Sequence, residues 1–298
     1  MGAARVAVVT SGPGLDEDTD LPLLLGALRA AGLSAEPVIW DADPGKWGGF
    51  DLAVIRSTWD YVGRLDEFLA WAEATARVTR LWNPAPLVRW NSDKRYLPEL
   101  AGRGVPVVPT RCIAPGEPCA EADFDGPHGV VVKPSVSAGA RDTARYAPGR
   151  AADAVRHARM LLEQGRTALV QPYLPLVEEE GERALIFFAG TFSHAIRKQA
   201  LLTEPGRMDN SRVAHPGAAL HTPTEAELRT ALAALEAVPA PGAPLFARVD
   251  LVSGGGAGEP VLMELELIEP DLFLGLAPHA ADRLALAVAA AGREATAR

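Results

Sequence analysis

The segment Val130-Val131-Val132-Lys133-Pro134-Ser135-Val136-Ser137-Ala138-Gly139-Ala140 runs an apolar strand into a loop of small residues, with a lysine at the junction. Small residues let backbone N–H groups approach a phosphate closely, and a lysine at the strand end supplies a point charge. The stretch is not a Walker A loop, because Gly-x-x-x-x-Gly-Lys-Ser/Thr is absent. An ordinary strand and turn would read the same way, so the rest of the chain has to decide. The chain has only four lysines, Lys46, Lys94, Lys133 and Lys198, against 25 arginines. Where arginine serves for plain positive charge, each lysine is a candidate for a specific task. Lys46, in an Asp-Pro-Gly turn, reads as surface.

Downstream lie Arg248-Val249-Asp250 and, on the next strand, Glu264-Leu265-Glu266. Strand alternation puts Arg248 and Asp250 on one face, and Glu264 and Glu266 on one face of the neighbour. If those faces coincide, three carboxylates and an arginine converge in a segment otherwise made of Leu, Val, Phe and Met. Buried carboxylates demand a cation, and hard oxygen ligands of this kind suit Mg2+ together with nucleotide phosphates. A solvated face of an exposed sheet is the alternative. Between the two motifs stand Gln171-Pro172-Tyr173-Leu174, the acidic run Glu178-Glu179-Glu180 and Glu182-Arg183. The acidic run reads as a solvated loop, whereas Glu182 opens a strand.

The first 90 residues alternate strand and helix: strands at 5–10, 37–40 and 51–55, helices at 21–31, capped by Asp20, and 65–77. That order predicts a doubly wound parallel sheet with ligands at the carboxyl ends of its strands, here 11–20 and Arg56-Ser57-Thr58-Trp59-Asp60-Tyr61. Asn83-Pro84-Ala85-Pro86 reads as an extended boundary. Beyond it come a short helix at 92–102, strands at 105–111, 129–133 and 168–171, and a helix at 151–164. The last third has hairpin-like strands at 184–189, 191–197, 246–251 and 261–267, with helices at 224–238 and 278–291. The fold class is therefore α/β followed by α+β with antiparallel sheets.

Composition excludes several functions. The chain has 298 residues and 48% hydrophobic residues, enough for more than one core. A formal charge of -9 argues against a general nucleic-acid partner, whose binding rests on Lys and Arg neutralising phosphates. No stretch approaches 18 uncharged apolar residues, and the chain opens on a strand rather than a signal peptide, so a cytoplasmic protein without membrane association is expected. Cys112 and Cys119 form no metal or disulfide pattern, and the six histidines give no His-x-x-x-His or Glu-x-x-His.

The order of strand, lysine and small loop, aromatic linker, Glu before Arg, Arg-x-Asp and Glu-x-Glu resembles the ATP-grasp superfamily over essentially the whole chain. The resemblance implies an N-terminal unit (1–90) and two lobes (91–171 and 172–298) that clasp ATP. It implies phosphate contacts from Lys94, on the helix opening the middle lobe, and from Lys133, with Ser135, Ser137 and Gly139 in the loop. Gln171, Tyr173 and Leu174 would contact adenine, and Glu182 the ribose. Arg183 would bind phosphate or substrate, Arg248 would polarise the carboxylate or stabilise the tetrahedral oxyanion, and Asp250, Glu264 and Glu266 would hold Mg2+. Glu-x-Glu departs from the Glu-x-Asn of many members and adds a charge.

Within the superfamily, Lys133–Arg141, the 56–61 segment and Leu265-Glu266-Leu267-Ile268-Glu269-Pro270-Asp271-Leu272-Phe273 resemble the ligases that form D-cycloserine. That implies a small amino-acid-like carboxylate, O-ureido-D-serine, activated as an acyl phosphate and cyclised by its own nitrogen. Arg56, Ser57 and Thr58 are the candidate substrate contacts, Lys198 a further one, and Trp59 reads as packing. A homodimer is what the superfamily implies. A ligase joining two separate small substrates, or a regulatory nucleotide binder, would share the same pattern.

Overall fold

The protein is described from a computed structural model that covers residues 3–202, 204–208, 210, 217–254 and 258–296. The first sheet comprises β1 (Arg5–Thr10), β2 (Ser34–Ile39), β3 (Leu52–Ser57) and β4 (Arg80–Trp82), in the order β2-β1-β3-β4. All its pairings are parallel. Val6, Ala7, Val8 and Val9 are fully buried, as a parallel strand covered on both faces requires. After β1 a short helix α1 (Gly12–Glu17) forms, its Gly14 amide donating to the Ser11 hydroxyl at 3.0 Å.

Helices α2 (Leu21–Ala30) and α3 (Leu65–Ala76) make the crossovers. Asp20 holds the N-cap position of α2 as expected, but the capping side chain is that of Asp18, whose Oδ1 accepts from the Asp20 and Leu21 amides. Asp20 instead accepts from the amides of Leu272 and Leu274, far along the chain, at 3.2 and 2.8 Å.

The 83–86 segment is not simply extended, because α4 (Ala85–Asn91) begins within it. Pro86 falls in its first turn, where no amide donor is needed. The same reasoning admits Pro98 to α5 (Tyr96–Gly102), which starts four residues later than the sequence suggested. Lys94 therefore lies in the turn between two helices rather than on one. Residues 105–110 form no strand. They touch the third sheet through a single bridge, Val107 to Leu262, since Pro106 and Pro109 cannot donate to a ladder.

The second sheet is antiparallel, β5-β8-β6-β7, from β5 (Arg111–Ile113), β6 (Val130–Pro134), β7 (Ala144–Tyr146) and β8 (Ala168–Pro172), backed by α6 (Ala151–Glu163). Gly129, just before β6, has φ +84°, and a Cβ there would stand 1.9 Å from the Tyr146 carbonyl oxygen. Only glycine permits that approach. Its own carbonyl accepts from the Tyr173 amide at 3.0 Å, which fixes the linker that follows β8.

After α7 (Leu176–Glu180), the third sheet forms from β9 (Glu182–Phe188), β10 (Thr191–Lys198), β11 (Ala219–His221), β12 (Phe246–Ser253) and β13 (Pro260–Glu266), in the order β11-β10-β9-β12-β13. Alternation along β9 sends Ala184, Ile186 and Phe188 into a core shared with the first sheet, α2 and α9 (Ala280–Thr296). Leu185 and Phe187 face α5 and α8 (Glu225–Glu236) on the other side. β13 is an edge, and side chains satisfy its outer backbone groups. Tyr96 Oη donates to the Leu265 carbonyl and accepts from the Leu265 amide, both at 2.9 Å. Asn91 does the same for Leu265 and Leu267. No helix among the described residues is long and apolar enough to cross a membrane.

Candidate active site

A cavity of about 540 Å³ opens where the second and third sheets meet the carboxyl ends of the first. Its floor follows from strand register. Asp250 stands opposite Glu264, and Arg248 opposite Glu266, across β12 and β13. Lys198 stands opposite Glu182 across β10 and β9. All six line the cavity, so the two carboxylate motifs do share one face.

The floor is an alternating charge network. Arg248 grips Asp250 through Nε and Nη2, both at 2.9 Å, and also pairs with Glu266. Lys198 Nζ lies 2.6 Å from Asp250 and 3.0 Å from Glu182. Lys94 Nζ lies 3.1 Å from Glu264 and donates to the Ser137 carbonyl at 2.6 Å. Burial raises Asp250, yet Arg248 and Lys198 beside it hold its carboxyl below the usual range. Burial raises Glu266 as well; Arg248 pulls it back, but the charges of Glu264 and Asp250 help drive it up to about 8. Burial depresses Lys94 and Lys198, and their carboxylate partners more than reverse that.

Lys133 differs. It is 7% exposed and lines the cavity, and among the described residues its ammonium has no hydrogen-bond or ion-pair partner. Burial lowers its pKa.

Above Lys133 the loop turns through Gly139, Ala140 and Asp142 at φ +62°, +55° and +52° and brings Ser137, Gly139 and Arg141 to the cavity wall. At one end Val131, Tyr173, Leu174, Val177, Ala200 and Met263 make an apolar slot. The Arg145 guanidinium lies 3.9 Å from the Tyr173 ring centroid, and Tyr173 Oη donates to Glu178 at 2.6 Å. Glu178 also pairs with Arg145, so the acidic run is not a free solvated loop. Gln171 Nε2 donates to Thr110 Oγ1 at 2.8 Å.

Five expected site residues lie outside this cavity. Arg183 follows Glu182 on β9 and so faces the other way, where Glu227 and Ser253 hold it at 2.8 Å each. Ser135 is buried, its carbonyl accepting from the Lys94 amide at 2.8 Å. Arg56, Ser57 and Thr58 are all buried at the end of β3. Arg56 donates to the Pro270 carbonyl at 3.1 Å, and the Ser57 and Thr10 hydroxyls bond at 2.7 Å.

The first unit reaches the cavity instead through Pro13, Glu17 and the turn Trp59–Gly63. Trp59, read from sequence as packing, lines the cavity and donates its Nε1 to the Glu269 carbonyl at 3.0 Å. Tyr61 and Glu269 were not singled out in sequence. They adjoin at this end of the cavity, and burial raises Glu269 to about 7.

Eight carboxylates and five cationic side chains line the cavity. Among the described residues no group of three or more His, Cys, Asp or Glu side chains stands ready as a metal cage. The donor chemistry nonetheless suits Mg2+: Asp250, Glu264 and Glu266 offer hard oxygens side by side, and burial, with the charges of Glu264 and Asp250, holds Glu266 up near 8.

The family model for the N-terminal domain of D-cycloserine synthetase DcsG matches residues 6–83. The cycloserine biosynthesis protein DcsG of Streptomyces lavendulae is 39% identical over 304 aligned residues, spanning 95% of this chain and 97% of that one. The crystal structure of D-cycloserine synthetase DcsG matches with a TM-score of 0.89 at 38% identity, covering 97% of this chain and 99% of that one. The ATP-grasp RimK domain protein of Sphaerobacter thermophilus matches with a TM-score of 0.66 at 20% identity, covering 96% and 98%. By fold an ATP-grasp ligase, the chain belongs to the family of D-cycloserine synthetase DcsG.

Proposed function

We propose that this chain is an ATP- and Mg2+-dependent carboxylate–amine ligase that closes the ring of D-cycloserine from O-ureido-D-serine. Lys133 is the observation that carries the reading. A buried cation without a partner is costly, and an incoming anion relieves it. A nucleoside triphosphate supplies that anion and also a base for the adjoining apolar slot. The near-full-length likeness to DcsG supports the choice of cycloserine chemistry.

In this reading the lobes 91–171 and 172–298 clasp ATP while the unit 1–90 closes the substrate end. Gln171, Tyr173 and Leu174 border adenine, Glu182 takes the ribose hydroxyls, and Lys94 and Lys133 with Ser137 and Gly139 hold the phosphates. Mg2+, when bound by Asp250, Glu264 and Glu266, neutralises charge on the β- and γ-phosphates. Lys198, expected to touch substrate, serves instead as the counter-ion of Asp250 and Glu182.

The substrate carboxylate oxygen bonds to the γ-phosphorus, the β–γ bridge breaks, and ADP leaves an acyl phosphate behind. Arg248, held in plane by Asp250, steadies the charge on that carboxylate. The substrate's ureido nitrogen then attacks the acyl carbon, loses its proton and expels phosphate, closing a five-membered ring. The ring nitrogen still carries its carbamoyl group, which water must remove to give cycloserine. The protein contributes position, charge and exclusion of water, the last through the loop 135–143.

The test is ADP release from O-ureido-D-serine with ATP and Mg2+ and no added amine, with mass analysis of the product. Ring formation supports the proposal. ADP release only after a second amine is supplied would assign the chain to ligases that join two substrates.

A further inference from the structure

We propose that Glu269, held by Tyr61, receives the α-ammonium of the substrate and so makes the enzyme selective for amino acids over acids that lack the amine. The inference rests on the ligase reading above and deepens it.

Glu269 lines the cavity, yet among the described residues it has no ion-pair partner within 4 Å. The other carboxylates of the floor each have a lysine or arginine in contact: Asp250 with Arg248 and Lys198, Glu264 with Lys94, Glu266 with Arg248. The Tyr61 phenol adjoins the Glu269 carboxylate at the cavity wall. Tyr61 is 3% exposed and stacks on Phe68 at 4.5 Å, so its hydroxyl has little freedom to leave.

The backbone around Glu269 is equally fixed, and by side chains from distant elements. Trp59 donates to the Glu269 carbonyl, Arg56 to the Pro270 carbonyl and Arg248 to the Asp271 carbonyl. Asp20 accepts from the Leu272 and Leu274 amides. So many polar contacts on a loop hold the Glu269 carboxylate in a set position on the cavity wall. This also gives Arg56 its role: it positions the Glu269 turn rather than touching substrate.

Placement matches the chemistry of an α-amino acid. Ammonium and carboxylate hang from the same carbon, so the group that receives one must neighbour the group that steadies the other. Arg248 reaches both the Asp250 carboxylate and the Asp271 carbonyl, two residues past Glu269. A partly buried carboxylate beside a phenol and without a cationic partner gains a charge-assisted hydrogen bond when an ammonium arrives.

The test compares O-ureido-D-serine with its des-amino analogue, 3-(ureidooxy)propanoate, in the full-length enzyme and in Glu269→Gln, Glu269→Asp and Tyr61→Phe. The wild type should prefer the amino acid, and Glu269→Gln should lose about 10- to 100-fold of that preference in kcat/KM, the worth of one charge-assisted bond. KM for ATP should stay near its original value, and Glu269→Asp should recover part of the preference. Equal losses on both substrates would make Glu269 merely structural, and an unchanged ratio would place the ammonium elsewhere; either overturns the inference. If the wild type releases no ADP with O-ureido-D-serine, the substrate assigned above is wrong. The same ratio is then measured on the amino acid that does release ADP and its des-amino form, and it decides the matter for Glu269 alone.

Discussion

Asp142 and Asn210 bond each other twice: the Asp142 amide donates to Asn210 Oδ1 at 2.9 Å, and Asn210 Nδ2 donates to Asp142 Oδ1 at 3.0 Å. Arg166 anchors the other Asp142 oxygen at 2.7 Å. The pair spans 68 residues and ties the small-residue loop beside Lys133 to the segment after β10, so the cavity is roofed from two sides. Asn210→Ala should loosen that roof, and two partly exposed hydrogen bonds are worth roughly 1 to 2 kcal/mol together. The expected outcome is a ~5- to 30-fold higher KM for ATP and more ADP released per ring formed, because water reaches the acyl phosphate. Measuring ADP and cyclic product in parallel checks it; an unchanged ratio would separate the roof from water exclusion.

Lys133 predicts opposite signs for stability and function. Its ammonium is buried without a close partner, so Lys133→Met removes an unfavourable charge and keeps most of the packing. The free variant should unfold at the same or a higher temperature than the parent, while ATP affinity falls by about 100-fold. Calorimetry on the free proteins and titration with a non-hydrolysable ATP analogue read the two effects separately. A variant that loses stability and keeps affinity would show Lys133 to be structural.

His194 sets an acid limit on the fold. It is 6% exposed, with Nε2 at 2.8 Å from the Leu272 carbonyl and Nδ1 at 2.9 Å from the Ser193 hydroxyl. Burial lowers its pKa from 6.5 to about 4. Between those values the unfolded chain binds a proton that the folded chain refuses, so stability rises with pH across this window and is lost as pH falls. The loss approaches about 3 kcal/mol near pH 4, at 1.4 kcal/mol per unit. Urea midpoints for the parent and His194→Gln from neutral pH downward check this: the variant should show a visibly shallower decline. Parallel declines would assign the acid sensitivity to other groups.

How much of this was legible in the sequence depended on whether a local rule governed the residue. Period-two alternation brings Arg248 with Asp250, and Glu264 with Glu266, to one face, and the same rule sends Arg183 away from Glu182 toward α8. The carboxyl ends of the first sheet's strands did mark the substrate end. They could not say which successive residues clear the core: 56–58 are buried, and a 3-10 turn carries Trp59 and Tyr61 into the cavity. Proline misled at 86, because it is excluded from helix interiors but welcome in first turns. Glu269 carries no local signal at all, since its position is set by Asp20, Arg56 and Trp59, more than 200 residues away.

The two glutamates of β13 should part company when neutralised. Glu264 is the ion-pair partner of buried Lys94, so Glu264→Gln leaves that ammonium with only the Ser137 contacts. With the Glu264 side chain 24% exposed, the stability loss should be about 2 kcal/mol, below the 3 to 5 of a fully buried pair. Burial pushes Glu266 up to about 8, which weakens its claim on Arg248, and Arg248 keeps its bidentate grip on Asp250 without it. Glu266→Gln should therefore change the stability of the metal-free protein by less than about 1 kcal/mol. In turnover the two should converge: each removes a candidate oxygen ligand, so each should need far more Mg2+ and lose roughly 100-fold or more in kcat. Denaturant unfolding without metal, set beside a Mg2+ titration of ADP release, separates the two roles. If Glu264→Gln kept near-normal turnover while folded, the metal would have to be held elsewhere on the cavity floor.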